Sequence, residues 1–540
     1  MRETRELTAR ALATGVVLGA LLAPCNVYSG LRIGWSFNMS IIALLASIAL
    51  WRPLARVFGL REWNRLESNI GQTTASSAAS IVSGGLVAPI PAYTLITGQQ
   101  LALAPLIAWV FAVSLLGIWV AWYLRPALVG PASQLRFPEG LATLETLLDV
   151  FAHGAEASRR IAALGLAALL SAATRWVDTF LLLLPRWTPV EGLARFTFVF
   201  EPSWLLAGFG AIIGLRVGLS LFAGALLAWG LIAPRIAGSV VALPDGDADA
   251  SLFGPLVEWL LWPGVSLMVG ATLSSFAVGL WRTRRSASTG AGAHAAGPRR
   301  WLGWRAIGDA PVPALAFGAA ALLTVLLQRL LFGIDWWIAL LAVPLAVMLA
   351  TVAARVVGDT GIPPIGAIGK VSQLSFGLAA PGQAVTNLMT ANVAGGAAGQ
   401  CADLMNDFLV GRGIGASPAR QAVAQSIGVV TGSVVGALVY LTLIPDPAAM
   451  LLTEQWPAPA VATWKAVAEA MAHGLDSVPA SARAAMVIAL LVGAIAGLLE
   501  ASLPARFARR LPSATAFGLA FVIPASISLT MTAGALAAAA

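Results

Sequence analysis

The sequence predicts an all-α polytopic transmembrane helical bundle, on three observations. Hydrophobic residues make up 58% of the 540 and charged residues 11%, whereas soluble domains carry roughly 25% charged residues. Apolar stretches long enough to cross a bilayer recur near 9–31, 34–51, 68–97, 101–124, 160–184, 253–281, 311–332, 334–357, 418–444, 483–500 and 513–537. The cations fall between these stretches, where membrane topology expects them. The net charge of +8 and the pI near 10.4 therefore imply no nucleic-acid partner, and the lipid bilayer is the expected environment.

Taken in order, residues 9–29 read as an uncleaved first span. Glu3 and Glu6 interrupt its charged start, no small-x-small cleavage site follows, and Pro24 spoils the lipoprotein-like Leu22-Ala23-Pro24-Cys25. Cys25 and Cys401, the two cysteines, lie in apolar context and imply no disulfide framework. Arginines orient the spans. Loop 51–66 holds Arg52, Arg56, Arg61 and Arg65, loop 281–305 holds six arginines, and loop 501–512 holds Arg506, Arg509 and Arg510. These predict a cytoplasmic face shared with the N-terminus. Loop 235–252, with Asp245, Asp247 and Asp249, and the acidic loop 445–480 sit best outside. The interrupted stretches 203–234 and 359–410 must then each cross an even number of times. The first reads as a pair of short helices or a re-entrant hairpin, which survives at membrane depth only when buried in protein or lining a cavity. Gly30-Leu31-Arg32-Ile33-Gly34 echoes in Gly214-Leu215-Arg216-Val217-Gly218 and suggests an internal repeat. The organisation is an N-terminal transmembrane half (1–281), a basic cytoplasmic linker (282–310) and a C-terminal transmembrane half (311–540).

The chemistry sits in a few polar segments. In Ala402-Asp403-Leu404-Met405-Asn406-Asp407-Phe408, Asp403, Asn406 and Asp407 share one helix face at i, i+3 and i+4. Carboxylates at membrane depth are expensive and mark substrate or ion pathways. Asp403 and Asp407 either bind a proton or cation, or pair with Arg412 at a helix end. Glu67, opening Glu67-Ser68-Asn69-Ile70-Gly71-Gln72-Thr73-Thr74, is either a proton carrier or an interfacial acid after Arg65. The segment 358–373 has four glycines and two prolines, which predicts broken backbone, with Lys370 either meeting a carboxylate or snorkelling from a turn. Asparagine is scarce, at seven residues. Those within spans either glue helices together or contact substrate. Arg175 and Asp178 read as a structural ion pair, and Arg216 as a buried cation.

Enzyme classes fall away by residue type. No His-Glu-x-x-His or Cys-x-x-Cys occurs, the three histidines lie in predicted loops, and Gly369-Lys370 is followed by Val371 where a Walker loop needs Ser or Thr. Neither a metal site nor a cofactor is expected.

At these residues the chain resembles the oligopeptide transporter family, in the branch similar to the plant yellow stripe-like transporters. The matching pieces are Asn26-Val27-Tyr28-Ser29-Gly30-Leu31-Arg32, Glu67-Ser68-Asn69-Ile70-Gly71-Gln72-Thr73, Phe137-Pro138-Glu139-Gly140, Gly361-Ile362-Pro363-Pro364-Ile365-Gly366, Gly369-Lys370-Val371-Ser372-Gln373-Leu374, the run Ala402–Phe408 and Leu511-Pro512-Ser513. The resemblance implies a secondary transporter of about 12–16 helices with the proton as coupling ion, and short peptides or amino-acid-like metal chelates as substrates. Ile362-Pro363 stands where the family often has Asn-Pro.

The resulting expectation is proton-coupled symport in the cell's inner (plasma) membrane. Asn26, Tyr28, Arg32, Asn69, Gln72, Lys370, Gln373, Asn387, Asn392 and Asn406 would bind substrate, with Lys370 or Arg32 holding its carboxylate. Glu67, Asp403 or Asp407 would carry the proton, and alternating access would rock one repeat against the other. A homodimer is compatible with the sequence, though no residue points to one. The rivals are a channel or lipid scramblase, which would need a continuous polar stripe, a membrane-embedded enzyme, and a scaffold that transports nothing.

Overall fold

The computed structural model describes residues 5–540 apart from 35, 131–132, 134, 153, 183–185, 189–190, 242–250, 289–311, 362–364, 475–479 and 509. The chain is all-α: among the described residues the only β pairing is two isolated bridges, Trp187 with Phe200 and Ala237 with Val241. Eleven helices there are long and apolar enough to cross a membrane. The chain folds as two compact units. One comprises 1–30, 35–163 and 285–447, and the other 31–34, 164–284 and 448–540, so each draws on both sides of the linker. Of that linker, 289–310 lie outside the described residues, as do Asp245, Asp247 and Asp249.

The first unit is built around the Ala384–Ile414 helix, which is buried along nearly its whole length. Trp336–Thr360, Leu103–Leu128, Ile365–Ala379, Arg65–Ala79, Pro138–Ala152 and Pro418–Leu443 pack around it. Small residues permit this crowding. A Cβ on Gly396 would stand 2.4 Å from Val113 Cγ1, and one on Gly117 2.5 Å from Ala397 O.

The predicted span 68–97 is a discontinuous helix. Asn64 caps its start by accepting from the Glu67 N–H at 2.9 Å. The helix runs Arg65–Ala79, tightens into a 3₁₀ turn over Ser80–Gly84, turns at Gly85 (φ 116°) and resumes as Pro89–Thr97. Gly85 is required twice: its φ is left-handed, and a Cβ there would stand 2.6 Å from Asn392 Oδ1.

Three expectations need correction. The broken backbone expected over 358–373 ends by Ile365, where a regular helix starts and runs to Ala379. Gly361 (φ 77°) closes the preceding helix, residues 362–364 are outside the described ones, and the exposed Gly366 and the buried Gly369 sit in helical backbone because packing of the helix as a whole against Ala384–Ile414 outweighs glycine's helix penalty. The expected second span at 34–51 is shifted to Ser40–Phe58. The expected span 513–537 is two helices, Ala514–Leu519 and Ala525–Ala539, separated at Pro524.

In the second unit, the stretch expected as paired short helices is two helical arms that meet at Gly214 (φ 80°, ψ 169°). Both arms pack on Ala525–Ala539. A Cβ on Gly210 would stand 1.8 Å from Met531 O, and one on Gly218 2.8 Å from the Ala535 Cβ. The echoed motif does not repeat in conformation, since Gly30 lies inside the Ala9–Ile33 helix whereas its counterpart Gly214 is the break.

Candidate substrate and ion site

One end of the first unit carries an arginine clamp. The Glu67 side chain is fully buried and accepts from Thr8 Oγ1 (2.8 Å), Arg10 Nε (2.8 Å) and Nη2 (2.5 Å), Arg61 Nη2 (2.6 Å) and Asn64 Nδ2 (2.9 Å). Arg10 also donates to the carbonyls of Arg61 and Glu62, and lies over the stacked rings of Trp51 and Trp63. Both Glu67 oxygens are thus bound to cations.

About one and a half helical turns further on, three helices meet on Asp407. Gln72 Nε2 donates to Asp407 Oδ1 at 3.0 Å, and Gln421 Nε2 donates to the Asp407 carbonyl at 2.6 Å. One layer along, Ser77 Oγ accepts from Gln400 Nε2 at 3.0 Å and donates to the Gln425 carbonyl at 2.8 Å. Asp407 is 1% exposed and these glutamines are fully buried. Even so, Asp407 Oδ2, Gln72 Oε1, Gln400 Oε1, Asn69 Nδ2, Ser68 Oγ and both ends of the Gln425 amide have no hydrogen-bond partner among the described residues. Each such group costs about 1–3 kcal/mol if left unmet. Their concentration at one junction suits a place that receives a polar guest.

Asp403 and Asn406 face a different neighbour. Gly140 N donates to Asn406 Oδ1 at 3.3 Å, and Asn406 Nδ2 donates to Glu139 Oε2 at 3.2 Å. Asn38 Nδ2 donates to the same oxygen at 3.3 Å. Asp403 bonds Ser80 in the 3₁₀ turn and stands close enough to feel the charges of Glu139 and Asp407. Arg412, one of the two fates considered for these acids, instead holds the carbonyls of Val129 and Gly130.

Charge pairing sorts the acids. Among the described residues whose side chains are not exposed, Glu6, Glu67, Asp178, Glu201, Glu469 and Glu500 each have an arginine or lysine within 3.2 Å. Glu139, Asp403 and Asp407 have none, and they lie together.

The remaining candidates are spread around this core. Lys370 is 7% exposed, and among the described residues its ammonium reaches only the Gly366 carbonyl of its own helix, at 3.4 Å. Asn387 Nδ2 donates to the Gln373 carbonyl and leaves its Oδ1 unpartnered. Asn392 accepts from Trp109 Nε1 at 2.7 Å. Asn26 is fully used as a brace, bonding Phe37 N, Phe37 O and Ala79 O. Tyr28 is half-buried on the first helix. Arg32 belongs to the second unit, where it pairs with Glu201 at 3.1 Å and holds the Glu454 and Gln455 carbonyls. Arg216, also in that unit, pairs with Glu500 at 2.5 Å, and the expected Arg175–Asp178 pair forms at 3.2 Å.

Sequence reasoning did not select Glu139, Gln400, Gln421 or Gln425. A signal existed for the last two, since glutamines at i and i+4 within an apolar span define a polar stripe. Glu139 was visible only as part of a motif.

A bundle of apolar helices with a discontinuous helix, unpaired acids and unmet amides in its interior defines a membrane transporter rather than an enzyme. The chain belongs to the OPT oligopeptide transporter family, whose model matches residues 6–540. It is 22% identical to a putative oligopeptide transporter of Saccharomyces cerevisiae, over 85% of this chain and 80% of that protein. It is 23% identical to the iron-phytosiderophore transporter yellow stripe 1 of Zea mays, over 98% of this chain and 85% of that protein. A putative oligopeptide transporter of Haemophilus influenzae is 30% identical, over 42% of this chain and 34% of its own length.

Proposed function

We propose that this transporter is a proton-coupled symporter of short peptides or peptide-like metal chelates in the plasma membrane, with its N-terminus in the cytoplasm. The observation that carries the reading is the trio of unpaired acids beside unmet buried amides. A buried carboxylate without a counter-cation is costly. Here the buried Asp407 stands with the half-buried Asp403 and Glu139, an arrangement that is tolerable when a proton comes and goes, which is what a coupling site must do. Asp407 is the central member, because its Oδ2 is buried and has no partner among the described residues while Gln72 and Gln421 fix the rest of the residue. The cation-bound Glu67 fits a structural clamp better than a proton carrier. The arginine-rich 51–66 loop around that clamp supports a cytoplasmic N-terminus.

The amides of Asn69, Gln72 and Asn387 suit the amide and carboxylate groups that peptides and nicotianamine-like chelators share, and Lys370 suits a carboxylate. The relatives' names extend to both substrate classes. The test is uptake into proteoliposomes under an inward acid gradient, comparing labelled di- to tetrapeptides with iron(III)–nicotianamine. Gradient-dependent accumulation of either pool, lost in Asp407→Asn, is expected. Absence of gradient-dependent uptake of both pools by folded wild-type protein would refute the symport reading.

A further inference from the structure

Residues 5–10 form a strap across the starts of two helices of the first unit. At the Arg65–Ala79 helix, Thr8 and Arg10 donate to the buried Glu67 carboxylate, and the capping residue Asn64 donates from Nδ2 to the Arg5 carbonyl at 3.3 Å. At the Pro418–Leu443 helix, Glu6 Oε1 accepts from the Ser417 N–H at 2.8 Å and Oε2 from Arg420 Nη1 at 3.1 Å. Glu6 is buried there, against the positive end of the helix dipole. The two attachments differ in strength. Glu67 accepts from Thr8, twice from Arg10, and from Arg61 and Asn64, and Arg10 lies over the stacked Trp51 and Trp63 rings. Among the described residues Glu6 accepts only from Ser417 and Arg420, and Arg420 is half exposed, so water competes for that pair. The Glu67 end is an anchor and the Glu6 end a latch.

The polar junction lies directly behind the strap. Gln72 stands about 7.5 Å past Glu67 along its helix, Gln421 follows Arg420, and both donate to Asp407. Asp407 is buried and the two glutamines fully so. Beyond the junction the same two helices are locked by small residues. A Cβ on Gly428 would collide with the Thr74 carbonyl, and one on Gly432 with the Ala78 carbonyl. On the other side of the Arg65–Ala79 helix, a Cβ on Gly15 would stand 2.5 Å from Thr74 Cβ, and one on Gly19 2.6 Å from Ala78 Cβ. The helices are thus held at a glycine seam on one side of the junction and by the strap on the other. Anything that enters or leaves the junction from the strap's side must part the two helix starts, and the strap's hydrogen bonds bridge them.

We propose that residues 5–10 are a gate of this transporter. With Glu6 latched on Ser417 and Arg420, the Asp407 junction is closed to the strap's side. Release of Glu6 lets the starts of Arg65–Ala79 and Pro418–Leu443 part about the glycine seam, while the Glu67 anchor keeps the strap attached. Motions of this kind turn on a few residues at element ends. The gate rests on the reading that the Asp407 junction receives the transported species, and it does not depend on whether a proton drives transport.

The first test needs no substrate. Gln425→Cys in a Cys25→Ser background places a thiol in the junction. The Gln425 amide has no hydrogen-bond partner among the described residues, so the change removes no bond it makes, and Cys401 is buried. The rate at which a maleimide labels this thiol is measured in the purified protein with and without Glu6→Ala. Loss of hydrogen bonds to a charged group is expected to raise the open population, and the labelling rate with it, about tenfold, or about 1.4 kcal/mol. The half-life of thermal inactivation is expected to stay unchanged. An unchanged labelling rate, or faster labelling with a half-life shortened in proportion, would overturn the gate. Should Glu6→Ala not fold, Arg420→Ala removes only the half-exposed side of the latch; a smaller rise is expected, and an unchanged rate counts against the gate. The second test joins Glu6→Cys to Ser417→Cys with a short reducible thiosulfonate cross-linker in proteoliposomes. Ser417 makes no side-chain capping bond, so its replacement costs no cap. Gradient-free exchange of labelled di- to tetrapeptides or iron(III)–nicotianamine is expected to stop on cross-linking and resume on reduction. Exchange that continues through cross-linked protein would overturn the gate. If wild type exchanges neither probe, the substrate reading fails by itself and the labelling result decides the gate.

Discussion

Replacing Glu67 by glutamine should destabilise the protein while leaving proton coupling intact. The side chain is fully buried and accepts from Thr8, Arg10, Arg61 and Asn64. Glutamine keeps the shape, so little packing is lost, but its amide NH₂ must face guanidinium donors and no longer neutralises them. Breaking a buried ion pair from one side costs about 3–5 kcal/mol. Two facts place this site near the lower figure. Arg61 is half exposed, so its share is screened and worth at most about 1 kcal/mol. Arg10 keeps the Arg61 and Glu62 carbonyls and its stacking on Trp51 and Trp63. A loss of about 3 kcal/mol is the working figure. The measurement is the rate of thermal inactivation of purified protein in detergent, because a large polytopic protein unfolds irreversibly and a half-life is the meaningful quantity. Transport is then measured per folded molecule. A Glu67→Gln protein as durable as wild type that has lost gradient-driven accumulation would refute the clamp and make Glu67 the proton carrier.

Asp407→Asn should fold, since an amide oxygen can still accept from Gln72, and should exchange substrate without accumulating it; flux with and without a pH gradient separates the two. Lys370→Met should cost little stability, because among the described residues the ammonium reaches only the Gly366 carbonyl, and should raise KM for carboxylate-bearing substrates but not for C-terminally amidated peptides. Gly210→Ala should sharply reduce folded yield, because its Cβ would collide with the Met531 carbonyl, and overpacking of this kind costs about 1–3 kcal/mol or more. Gly208→Ala, which meets nothing within 4 Å, is the control and should leave yield unchanged.

The membrane class, most of the spans and the polar face of 403–407 followed from composition and from helical periodicity, because both are local properties of the chain. Proline and glycine placed the breaks less well. Gly84-Gly85 and Pro89 did interrupt the 68–97 stretch, yet Gly366 and Gly369 lie in regular helix. Packing of the whole helix against a neighbour decides between these outcomes, and that packing is not written in a segment's own residues. The site was legible in part for the same reason. Asp403, Asn406 and Asp407 share a face by helical geometry alone, and Gln72 lay in a polar segment that is unusual for a span.

Which acids are paired was not legible. Glu67 finds Arg10 57 residues away, Gln72 finds Asp407 335 residues away, and Asn406 finds Glu139 267 residues away. Taken singly in the sequence, Glu67, Glu139 and Asp407 are equivalent acids near apolar spans. The sequence by itself determined the solvent this protein lives in and the residue types available to it. The tertiary structure decided which carboxylates are neutralised and which are left to carry charge, because a carboxylate's behaviour at membrane depth is set by the cation or amide beside it, and that neighbour comes from a distant part of the chain.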